Sequence, residues 1–125
     1  MNIFKKTLAA LFMMSALVST SAFANSAGDA KVLAAGEATI AKAQEAVDLV
    51  EKNGNKDEVL KLLGDVRQSQ KEFRFEATER SRQRAGDFLR HGREEFEKGD
   101  ANALQNLKSA LETYKEMMVT YKAAH

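Results

Sequence analysis

Asp87, His91 and Glu95 follow one another at intervals of four, so on a helix they share one side. Two carboxylates and an imidazole are oxygen and nitrogen donors suited to a divalent metal. Helical bundles build such sites, usually with ligands from several helices. The same trio also reads as a surface histidine paired with neighbouring acids. Met117, Met118 and His125 form a second candidate, because thioether and imidazole are ligands for copper. Met118, however, stands where an apolar stripe needs a packing residue.

A third candidate is cationic. Between positions 67 and 93 the chain carries Arg67, Lys71, Arg74, Arg80, Arg82, Arg84, Arg90 and Arg93 against Glu72, Glu76, Glu79 and Asp87. Arg74, Arg80, Arg82, Arg84, Arg90 and Arg93 are the expected interaction surface. Such a surface suits an acidic protein or an anionic envelope partner, lipid or polymer. The competing reading is an ordinary helix surface laced by pairs such as Glu72–Glu76–Arg80 and Glu76–Arg80–Arg84. Catalysis finds no foothold. A Ser-His-acid arrangement would have to use His91, and no nucleophile elbow or Gly-rich oxyanion loop surrounds it. A non-enzymatic protein is expected.

The N-terminal stretch sets the compartment. Lys5 and Lys6 precede an apolar run from Leu8 to Val18, and Ala22-Phe23-Ala24 fits a small-x-small cleavage site. This pattern is that of a secretory signal peptide spanning 1–24, removed after Ala24 and directing the chain to the periplasm. Removal takes two of the 19 basic residues and none of the 18 acidic ones, leaving about one net negative charge on 25–125. That balance gives no reason to expect nucleic-acid binding, and no transmembrane segment is expected after processing. The chain has no Cys, so helix packing rather than disulfides must hold the exported protein together. It has no Pro either, which favours long helices.

The candidate residues need helices to position them, and the remaining sequence supplies these. Residues 25–125 read as a single helical bundle domain. From about Asp29 to Lys52, Leu33, Gly36, Ile40, Ala43, Val47 and Val50 repeat at spacings of three and four, a bundle-type stripe. Asn53-Gly54 stops that helix. Asn55 caps the next, with Glu58 at the third helical position. Val59, Leu62, Leu63, Val66, Ser69 or Gln70, and Phe73 follow on one face. Later, Ala85, Phe88, Leu89, Gly92 and Phe96 make a face that ends at Gly99. Asp100 is the expected cap of a last helix carrying Leu104, Leu107, Leu111, Tyr114, Met118 and Tyr121. The turns at Gly54 and Gly99 lie 45 residues apart and read as two related hairpins.

Residues 75–84 leave two architectures open. Thr78 or Ser81 can cap a new helix, giving an antiparallel up-down-up-down four-helix bundle. No Gly or Pro marks a turn there, so one helix from Asn55 to Lys98 is the alternative, its exposed seams covered in an exchanged homodimer. In a continuous helix Phe73 and Phe75 cannot share a face, which would leave one of them exposed or at a subunit contact.

Leu49-Val50-Glu51-Lys52-Asn53-Gly54, Asp87-Phe88-Leu89-Arg90-His91-Gly92 and the last helix through Tyr114 and Tyr121 resemble the periplasmic cytochrome b562 group. That resemblance implies a four-helix up-down bundle. The group holds haem through a Met in its first helix and a His in its last. The corresponding positions here are Ile40 and Val119, which cannot ligate iron, and the group's long connection between helices two and three is missing. The resemblance thus implies the fold without the haem. The turn Gly99-Asp100-Ala101-Asn102-Ala103-Leu104 is also similar to hairpins of small periplasmic metal-binding helical proteins. Those are His-rich, whereas this chain has two His. The expected function is binding through the basic central surface. The alternative is a small metal or ligand carrier using Asp87, His91 and Glu95, with a divalent metal as its cofactor.

Overall fold

The computed structural model describes residues 27–125, and the expected signal peptide at 1–24 lies outside the described residues. Among the described residues the chain is all-helical, with four α-helices: α1 (Ala27–Glu51), α2 (Lys56–Lys71), α3 (Glu79–Lys98) and α4 (Ala103–Ala123). A single 3-10 turn, Glu76–Thr78, precedes α3. Helix α1 packs on α2 and α4, and α4 packs most closely on α3. The α2–α3 seam is the loosest of the four. No described helix is long and apolar enough to cross a membrane.

The core follows the apolar spacing. Helix α4 contributes most, burying Leu107, Leu111, Tyr114, Met118 and Tyr121, with Ala103, Ala110 and Met117 widening the face. Helix α2 buries Val59, Leu62, Leu63 and Val66, and α3 buries Ala85, Leu89 and Gly92. In α1 the buried line runs through Ala35, Thr39, Ala43, Ala46 and Val47. Leu33, Ile40 and Val50 only flank it. Thr39 is tolerated there because its hydroxyl donates 2.8 Å to the Ala35 carbonyl, satisfying the one polar group it brings inside. At Gly92 a Cβ would stand 2.7 Å from a Leu107 methyl carbon and 3.2 Å from the Leu107 nitrogen, so the missing side chain lets α3 and α4 approach.

Both hairpin turns end their helices alike. Gly54 N donates to Leu49 O at 2.7 Å and Asn53 N to Val50 O at 3.1 Å. Asp100 N donates to Glu95 O at 2.8 Å and Gly99 N to Phe96 O at 3.1 Å. These are the paired bonds of a Schellman ending. The left-handed residue is Gly99 (φ 75°) in the second turn but Asn53 (φ 55°), not Gly54, in the first. The helix starts differ as well. Asn55 Oδ1 accepts from Glu58 N at 3.1 Å, as expected. Asp100 does not cap α4. Its carboxylate accepts from Asn102 N at 2.8 Å, and Asn102, without a side-chain cap bond, occupies the cap position.

The helix considered between Asn55 and Lys98 is divided. It ends at Lys71, and Phe75 is extended (φ −150°, ψ 122°). The pair of phenylalanines gives a physical reason. Side chains two residues apart diverge on a helix, whereas with the helix ended and Phe75 extended both rings reach one partner. Phe73 is fully buried, Phe75 half-buried, and both rings meet Tyr121 edge-on, at 5.2 and 5.1 Å. Burying such a ring contributes about 1.5–3 kcal/mol, against about 0.5–1.5 kcal/mol for each helical hydrogen bond forgone. Neither phenylalanine is left exposed. Because 72–78 is not α-helical, the Glu72–Glu76–Arg80 ladder of the competing reading is absent from the ion pairs among the described residues. Glu79 instead pairs with Arg74 and Arg82.

Candidate functional site

Along the loose seam between α2 and α3, residues of both helices line a groove of about 290 Å³. Helix α2 contributes Leu63, Arg67 and Gln70, at intervals of four and three. Helix α3 contributes Arg82, Gly86 and Arg90 at intervals of four, then Arg93 one turn on, with Asp87 beside them. Four arginines therefore face one aspartate. The seam is loose for the same reason: charged residues occupy positions where apolar ones would have drawn the helices together.

Several polar groups in and beside the groove are held by defined partners. Arg82 keeps only 12% of its side chain exposed. Its Nη2 donates 2.7 Å to Glu79 Oε1, and its Nε is buried with no hydrogen-bond partner among the described residues. Glu79 also lies 3.3 Å from Arg74 Nε. The hydrogen bond from Arg82 outweighs partial burial and holds the Glu79 carboxyl below its ordinary range, so it stays an anion that fixes the guanidinium. Gln70 lies over Gly86, where a Cβ would be 3.3 Å from the amide oxygen. That oxygen accepts 2.6 Å from the hydroxyl of the fully buried Tyr114. Burial drives the Tyr114 phenol far above its ordinary range, so it keeps its proton and donates it. With its oxygen engaged, Gln70 offers amide N–H donors beside the arginines. Asp87 Oδ1 is 3.5 Å from Arg90 Nη2, an exposed pair.

The expected basic surface is thus split. Arg82, Arg90 and Arg93 line the groove, joined by Arg67, which belongs to the basic segment but not to the expected surface set. Arg74 is turned to Glu79. Arg84 faces a second, larger hollow of about 490 Å³ along α3 and α4 and lies 3.7 Å from Glu116. Charges in that hollow balance, Arg84 and Lys108 against Glu112 and Glu116. Arg80 is exposed and does not line either hollow. Gln70 falls on the inner face of α2 by its spacing, but nothing in the sequence marks it as a groove residue.

The metal candidates do not gather. His91 is exposed, Asp87 is turned to Arg90, and Glu95 accepts 2.5 Å from Asn106 Nδ2 on α4. Among the described residues no group of three or more His, Asp or Glu is placed to hold a metal ion. Met117 and Met118 are buried in the core. The His125 ring lies 4.2 Å from Tyr121 and 5.0 Å from Phe75, with Nδ1 2.8 Å from the Tyr121 carbonyl. Ile40 is half-buried and Val119 is 68% exposed. No family model, curated protein or solved structure matches this chain.

Proposed function

We propose that this is a non-enzymatic, exported binding protein. It folds as an up-down-up-down four-helix bundle and receives an acidic partner in the basic groove between α2 and α3. One observation carries the reading: four arginines from two helices line one small groove opposite a single aspartate. The arrangement of the bundle is supported by contacts at its turns. Lys56 Nζ donates 3.2 Å to the Glu97 carbonyl, and Lys108 pairs with Glu51 at 2.9 Å, so residues beside both hairpin turns meet.

Arginine suits this task. Its planar fork binds carboxylates and phosphates by paired hydrogen bonds, and it is more weakly hydrated than lysine. Same-sign charges lining a cleft also raise the arrival rate of an oppositely charged partner. The test is binding of fluorescent polyglutamate by anisotropy across a salt series. Salt-sensitive binding that Arg90→Glu with Arg93→Glu abolishes, and that Arg84→Glu leaves in place, is expected. Binding unaffected by the double substitution would remove the groove from the reading.

A further inference from the structure

We propose that the groove between α2 and α3 is a site for a phosphoryl group, with Arg82 at one end of its α3 wall and Arg90 and Arg93 at the other. This deepens the preceding reading and rests on it. Three features select phosphate among anions. The lining is rich in donors and poor in acceptors: four guanidiniums and the Gln70 and Gln83 amides, against the Asp87 carboxylate. A carboxylate has two oxygens and one charge, and one arginine fork saturates most of it. A phosphate monoester carries a charge of about −1.5 to −2 and three acceptor oxygens, so it can engage several guanidiniums together.

The second feature is preorganisation. Glu79 fixes the Arg82 guanidinium through Nη2, and only 12% of that side chain is exposed. A guanidinium already fixed at the groove wall binds an oxyanion with little further loss of side-chain freedom. Gln70 is held likewise by Tyr114. The third feature is size. About 290 Å³ lies at the small end of ligand pockets and suits a compact group rather than a folded surface. Along α3, Arg82 and Arg90 are roughly 12 Å apart at the helical rise, a span that a phosphate with an attached polar or second anionic group would cover.

Phosphoryl groups reach such a site either on a soluble ester or on a lipid headgroup, and the experiment has an arm for each. Pyrophosphate is titrated into the purified protein and followed by backbone and arginine Nε–H resonances. Succinate serves as the carboxylate control. The expected result is saturable shifts at Gly86, Gln70 and the Arg93 Nε–H, with succinate weaker by about tenfold or more. Arg93→Gln should weaken pyrophosphate by about tenfold, the effect of one charge-assisted hydrogen bond, while Arg84→Gln should not. Arg93 stands at the far end of the groove from the Glu79 pair, so its variant tests the site without disturbing that support. Phosphatidylcholine vesicles doped with phosphatidic acid form the second arm. Sedimentation with them that pyrophosphate displaces assigns the headgroup source, and pyrophosphate binding without sedimentation assigns the soluble one. Equal affinity for succinate, equal loss in Arg84→Gln, or no shifts with pyrophosphate would each overturn the phosphoryl site. If polyglutamate still binds in that case, the wider reading of an acidic partner survives; if it too fails, both fall.

Discussion

Phe75 meets Tyr121 edge-on, ring centroids 5.1 Å apart, on the same aromatic ring that receives Phe73 at 5.2 Å. The two contacts explain why α2 ends without a glycine or proline. A straight helix would bury one phenylalanine and expose the other, and the extended residue at 75 brings both to α4. Substitution should rank accordingly. Phe73→Ala, at a fully buried position, is expected to cost about 3–5 kcal/mol and Phe75→Ala, half-buried, about half that. Urea unfolding followed by circular dichroism measures both. A larger loss at Phe75 than at Phe73 would mean that the break has another cause.

The hydrogen bond from Tyr114 to Gln70 joins the core to the groove, and it gives a second test. Tyr114→Phe keeps the ring but leaves the Gln70 oxygen to find another donor. The expected loss is about 1–2 kcal/mol. The Tyr114→Phe, Gln70→Ala double variant should lose less than the sum of its parts, since both remove one interaction. Full additivity in the unfolding free energies would show that the 2.6 Å contact contributes nothing.

Most of the scaffold is legible in the sequence because it depends on local spacing. The stripe from Leu104 to Tyr121 fixes the inner face of α4, and the apolar runs of α2 and α3 do the same. The turns at Asn53-Gly54 and Gly99 follow from rules of chain geometry. What spacing cannot convey is competition between local and distant preferences. The break at 72–75 brings both phenylalanines to Tyr121, almost fifty residues away. Thr39 is buried because its own backbone supplies an acceptor. Among the candidate sites, the basic segment is plain from composition, but its division is not. Arg82 and Arg84 are two positions apart, so a helix sends them to opposite seams, and only the packing of α2 and α4 says which seam leaves a groove.

Helical glycines offer a pair of opposite predictions. Gly64 lies within α2, and a Cβ there would meet nothing within 4 Å. Gly64→Ala should stabilise the protein by about 0.5–1 kcal/mol, by restricting the unfolded chain and favouring helix. Gly92→Ala gains the same propensity but drives a methyl against Leu107, and should lose about 1–3 kcal/mol net. Thermal midpoints that move the same way for both would contradict the close approach of α3 and α4.

Glu79 should make stability depend on acid in a way that a single substitution reveals. Its carboxyl is held below the ordinary value of 4.5, chiefly by the hydrogen bond from Arg82. A lowered folded value means that the unfolded chain binds the proton more readily. The contribution is therefore fully present above the ordinary glutamate value and fades as pH falls through the folded one. The pair is partly exposed, so about 0.5–1 kcal/mol is at stake. Glu79→Gln should lower the thermal midpoint near neutrality and have no further loss of this kind to suffer in acid. The gap between the two proteins should close as the pH falls from the ordinary glutamate value through the lowered folded one, where a protonated Glu79 resembles the amide. The same substitution releases the Arg82 guanidinium, so it should also weaken pyrophosphate at neutral pH. A gap that stays constant through the acid range would show that Glu79 does not hold Arg82 as an anion, and the preorganised donor of the groove would go with it.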